Sequence, residues 1–147
     1  MGFIESVTAE VKARIDSAGN SSDEIIEPLT NYSLARVQKD FNKGNTIIGG
    51  AVTNTIRRLD GTGLDFLHKN ATTAGLDFEQ YFKEKHYMLA VSMYMSHVEG
   101  SEEAITRTQM SSARYFQRPD ADYVELDESL TSLSGFGAKI QAGKIWW

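Results

Sequence analysis

The sequence predicts a mainly α fold: a compact helical domain around a central helix at about 77–98, then an extended, loop-rich C-terminal arm carrying at most one or two short strands. Three observations predict it. Apolar residues recur at three- and four-residue spacing through much of the first 118 residues. The stretch Asp77 to Val98 is apolar nearly all round in its second half, the composition of a buried helix. Past Pro119 that spacing stops, and Ser, Gly and polar residues separate single apolar anchors. The division is therefore residues 1–118 as a helical domain and 119–147 as the arm.

Taken in order, Phe3, Ile4, Val7, Val11 and Ile15 suggest a first amphipathic helix, ended by Gly19-Asn20. Ser21 and Glu24 have the spacing of a capping box, and Pro28 keeps the helix they would start short. Thr30 or Asn31 can cap a helix lined by Tyr32, Leu34, Val37 and Phe41, with Gly44 as its C-cap. Residues 45–59 are open between helix and strand. Ile47, Ile48, Ala51, Val52, Ile56 and Leu59 have helical spacing, but Gly49-Gly50 and three threonines oppose it.

Gly63-Leu64-Asp65-Phe66 recurs as Gly75-Leu76-Asp77-Phe78, which reads as two similar helix starts with aspartate caps. Ser101 caps a further helix whose first turn holds Glu102 and Glu103, running to about Phe116. Tyr123 to Leu126 alternates like a short strand.

Composition bounds the function classes. One domain's worth of chain, 147 residues with 41% apolar and 24% charged, can fold without a staple. The net charge of −5 and scattered basic residues argue against nucleic acid as the main partner. The absence of cysteine removes disulfides, thiolate chemistry and cysteine-ligated metals. The N-terminus lacks the basic-then-apolar pattern of a signal peptide, and no apolar run approaches a helical membrane span. The chain is read as soluble, either cytoplasmic or assembled into a particle.

No motif supplies a catalytic residue, cofactor site or metal site. On a shared helix His86 and His97 would stand roughly 16 Å apart, too far to hold one ion. The acidic run Asp120 to Glu128 fails the calcium-loop template at Val124 and Glu125. Ala138 to Ile145 lacks both the first glycine and the Ser/Thr of a phosphate loop.

What remains is the arm. Tyr123, Leu126, Leu130, Leu133, Phe136, Ile140, Ile145, Trp146 and Trp147 are spaced as partner-binding anchors. The expected function is a non-enzymatic structural or assembly protein, such as a virion component or a subunit of a bacterial secretion or contractile apparatus. Its partners would be copies of itself or other protein subunits, with no cofactor. Two other classes stay open. One is a small enzyme or toxin domain using residues such as Asp77, Glu84, His86 and His97. The other is a ligand binder with a pocket at Tyr81, Tyr87 and Tyr94.

Overall fold

The computed structural model describes residues 1–17 and 19–145, and it overturns the helical expectation. The described chain is a long antiparallel sheet. Its strands are β1 (Gly2–Thr8), β2 (Val11–Ser17), β3 (Asn20–Glu27), β4 (Thr30–Phe41), β5 (Thr46–Arg57), β6 (His68–Phe82), β7 (Tyr87–Gly100) and β8 (Ser132–Lys144). One α-helix, α1 (Glu102–Met110), lies between β7 and β8. Six strands form one sheet in the order β1-β4-β5-β6-β7-β8, while β2 and β3 make a separate hairpin.

The central helix expected at about 77–98 is the β6–β7 hairpin. Lys83, Glu84 and Lys85, within the span of that expected helix, are its turn. The segment resembled a buried helix because β7 is apolar on one face and carries Met88, Ala90 and Tyr94 on the other. Residues 45–59 contain β5. There β-branched residues and the pairing of both edges prevail over helical spacing. The first expected helix is β1 and β2, and the Ser21–Glu24 capping box lies in β3. The second copy of the Gly-Leu-Asp-Phe echo sits inside β6, so Asp77 caps no helix. The expected arm contributes β8, a full strand of the same sheet. With the helical core goes the architectural argument for a virion or secretion-apparatus component.

Connections at the two ends of the sheet differ in length. At one end β4–β5 and β6–β7 turn tightly, through a 3-10 turn at Asn42–Gly44 and through residues 83–86. Lys43 (φ 57°), Lys83 (φ 47°), Glu84 (φ 55°) and Lys85 (φ 68°) are left-handed there, each at a cost of about 1 kcal/mol or more for a non-glycine residue. At the other end lie the long connections: residues 9–29 with the β2–β3 hairpin, 58–67, and 101–131 with α1.

The long connections hold all the buried apolar side chains among the described residues: Leu59, Ala104, Ile105 and Ala121. The sequence reading of α1 holds at its start. Ser101 is the N-cap, its hydroxyl accepting from the Ala104 N–H at 3.0 Å, with Glu102 and Glu103 in the first turn. The helix ends earlier than expected, at Met110. Gln109 is fully buried and clamps the returning chain. Its amide donates to the Asp127 carbonyl at 2.6 Å and accepts from the Asp127 N–H at 2.9 Å. Residues 123–126, expected as a strand, are coil.

His68 enters this cap from the start of β6, 2.6 Å from the Thr108 hydroxyl. Burial first, then the nearby Arg57 and Arg114 charges, hold its pKa below the ordinary histidine value. The opened cap therefore binds protons more readily than the closed one, and closure weakens as pH falls. Hydrogen-exchange protection of α1 should drop as pH is lowered through about 6.5, the unperturbed value. The drop should be complete below the depressed folded value, and His68→Gln should flatten this dependence.

Candidate functional site

The site is the sheet itself, because its two faces differ chemically and no second layer of the described residues covers either. Residues directly opposite in an antiparallel pair point to the same face, so the register assigns each side chain. One face carries Ala35 and Val37 of β4, Ile48 and Val52 of β5, and Ala74, Leu76 and Phe78 of β6. It continues through Leu89, Val91, Met93 and Met95 of β7 to Phe136, Ala138 and Ile140 of β8. This is an apolar band five strands wide. Its side chains are exposed: Leu76 at 64%, Met95 at 56%, Phe136 at 94% and Ile140 at 71%.

The other face is small and polar through its middle, with Leu34, Ile47, Met88, Val98 and Leu133 set among threonines, serines and charged residues toward its ends. Across the middle run Gln38, Gly49, Asp77, Ser92 and Lys139 in one row, and Arg36, Ala51, Gly75, Tyr94 and Gly137 in the next. Arg36 reaches Asp77 at 3.4 Å. It can do so because Gly49 has no side chain: a Cβ there would collide with the Asp77 carboxylate lying over it. Thr53 and Thr73 share a hydrogen bond of 2.6 Å on the same face. Glu79 accepts from the Tyr81 hydroxyl at 3.0 Å, a bond that holds the Tyr81 pKa above its ordinary value.

The apolar band has distinct borders. Toward the long connections it gives way to Asn54, Thr72, His97 and Ser134, then to Asn70, Glu99 and Ser132. His97 Nδ1 lies 2.7 Å from the Ser134 hydroxyl, and Nε2 lies 3.1 Å from Glu99. Hydrogen bonds from His97 first, then Asn70, hold the Glu99 carboxyl below its usual range. This has the order of a nucleophile–base–carboxylate relay. It stands on an open sheet face, however, where nothing excludes water from it. Toward the tight turns the border is aromatic and basic: Phe41, Phe82 and Tyr87, with Lys39 over the Phe41 ring at 5.1 Å and Lys83 over Tyr87 at 5.6 Å.

The residues singled out from sequence are scattered. His86 and Glu84 lie at the tight-turn end of β7 and His97 at the other end, roughly 36 Å away along an extended chain. Asp77 is on the opposite face from His97, so no single site joins the four. Tyr81 and Tyr94 share the polar face, whereas Tyr87 is on the apolar one. No cluster of three metal-ligating side chains occurs among the described residues. Of the proposed anchors, Phe136 and Ile140 lie in the apolar band and Leu133 faces the other way. Tyr123 is exposed on the long connection, Leu126 and Leu130 are half-buried there, and Ile145 follows β8. Trp146 and Trp147 lie outside the described residues. Sequence reasoning missed the band itself. Its signal was the alternation Tyr87, Leu89, Val91, Met93, Met95.

A family described as a domain of unknown function (DUF5916) covers residues 1–124, and the chain belongs to it. No curated protein and no solved structure matches.

Tyr94 lies across Gly137, where a Cβ would overlap its ring. An aromatic ring covering a strand glycine shields a backbone that has no side chain of its own. Gly137→Val should therefore destabilise by about 1 kcal/mol by displacing the ring. In a Tyr94→Ala background the same change should be neutral or stabilising, because valine suits a strand better than glycine. Urea midpoints of the four proteins in a double-mutant cycle would show this change of sign.

Proposed function

We propose that this member of the DUF5916 family forms part of the wall of a membrane β-barrel, with the apolar band against lipid acyl chains and the polar face toward an aqueous interior. The observation that carries this reading is the uncovered, two-faced sheet. In a water-soluble sheet the apolar face packs on a second layer. Here the apolar face is exposed on every strand from β4 to β8, while the middle of the other face is small and polar.

The dimensions agree. A transmembrane strand needs about 9–11 tilted residues. The alternating apolar positions of β7 run from Tyr87 to Met95, within a strand of 14 residues. Tight turns at one end and long connections at the other are the pattern of such barrels, as is an aromatic girdle at the edge of the band. No helix among the described residues is long and apolar enough to cross a membrane, which bears only on helical spans.

The reading changes the expected partners. Unpaired strand edges are costly in hydrocarbon. The outer edges of β1 and β8 would pair with further strands, from the same polypeptide or from another copy. The non-enzymatic, assembly-based role expected from the sequence keeps its place as a proposal, with strand pairing as the contact. Phe136 and Ile140 would then anchor in lipid.

The test is placement of charge on the two faces. Leu76→Arg or Met93→Arg should cost about 2–4 kcal/mol in folding into lipid vesicles, the range for arginine near the middle of a bilayer. Ser92→Arg, one residue from Met93 but on the polar face, should cost far less. Urea titration of vesicle-folded protein measures both, and equal penalties on the two faces would reject the barrel.

A further inference from the structure

The tight-turn end carries a concentration of positive charge that the net charge of −5 conceals. Lys39 and Lys144 lie there on the apolar face, Lys83 reaches a ring of that face, and Lys43 is in the neighbouring β4–β5 turn. Lys144 stands directly opposite Tyr87 in the β7–β8 register. Lys39 lies over Phe41 and Lys83 over Tyr87, so two ammonium groups are held at the faces of rings that end the apolar band. The acidic residues of this end are Asp40 and Glu79, on the opposite face, and Glu84 in the turn. The far end is acidic instead, with Glu99, Glu102 and Glu103, and Asp120, Asp122 and Glu125 on the long connection.

Building on the barrel reading, we propose that this rim is a binding site for anionic phospholipid headgroups. Acyl chains would lie along the Leu89–Phe78 side of the band. The headgroup phosphate would be met by Lys39, Lys43 and Lys83, whose stems run beside the rings while their ammonium groups reach the interface. Ring faces and lysines at the border of an exposed apolar band match an amphiphile with an anionic head better than a free anion, which would need no band. The rim would also fix which leaflet the tight turns face, since the acidic far end is repelled by the same headgroups.

Lys85 supplies an internal control. It belongs to the same turn but lies over Tyr81, on the polar face. The experiment uses the full chain folded in detergent micelles, with retained phosphatidylglycerol and phosphatidylcholine counted by native mass spectrometry. The expected result is retention of phosphatidylglycerol over phosphatidylcholine. The triple variant Lys39→Gln, Lys43→Gln, Lys83→Gln should lose that preference by about tenfold or more. Lys85→Gln should keep it. Equal retention of the two lipids by the wild type, an unchanged triple variant, or an equal loss in Lys85→Gln would each overturn the proposal. Displacement by inorganic phosphate at concentrations near that of the lipid would also overturn it, in favour of a free-anion site. Insertion of the wild type into vesicles of phosphatidylcholine alone reads the barrel separately. Insertion without lipid preference rejects the rim only, and failure to insert rejects the barrel reading itself.

Discussion

Everything distinctive about this chain depends on the antiparallel register of six strands. Side chains alternate across a strand, so a slip of one residue would exchange the two faces. The register brings Leu76 opposite Met93 and Met93 opposite Ala138, and it places Asp77, Ser92 and Lys139 together on the reverse side. Small local devices hold that arrangement. Gly49 leaves room for Asp77 to reach Arg36, and Tyr94 covers Gly137. The same pairing places apolar side chains on one surface with no second layer of the described residues above it, which is the ground for the proposed lipid contact.

The two ends of the sheet divide the remaining work. Among the described residues the buried apolar side chains are at the long-connection end, where Ile105 and Gln109 of α1 are sealed under the returning chain. The tight-turn end has no such core and instead gathers lysines and aromatic rings in strained turns. A cap built for water at one end and a basic aromatic border at the other give the sheet a polarity along its strands. That polarity is independent of the difference between its faces, and in the proposed barrel the two together would orient the sheet in a membrane.

The sequence was legible where a local rule acts alone. Ser101 as N-cap and the acidic first turn of α1 could be read directly, since capping needs no distant partner. The sheet was not legible from helical spacing, because apolar residues occur on both faces of β7 and at both parities across the β6–β7 turn. Met88, Ala90 and Tyr94 fill the positions that polar residues would take in a half-buried strand. A Lys-Glu-Lys turn carries none of the glycine or asparagine that marks a hairpin. The threonines of β5 and β6, the paired glycines and the large apolar residues at every second position from Tyr87 to Met95 were the available signals. The apolar face was beyond reach as a site, since it exists only once five strands are set side by side.

The central claim is that the two faces meet different solvents. The chain has no cysteine, so single cysteines can be placed along β6 and spin-labelled without background. In vesicle-folded protein, labels at positions 74, 76 and 78 should collide with oxygen, which concentrates in hydrocarbon. Labels at 73, 77 and 79 should collide with a water-soluble nickel complex. Period-two alternation through the strand is the result the account predicts. Uniform water exposure of both sets, or protection of the 74–78 set from both reagents by a protein layer, would contradict it.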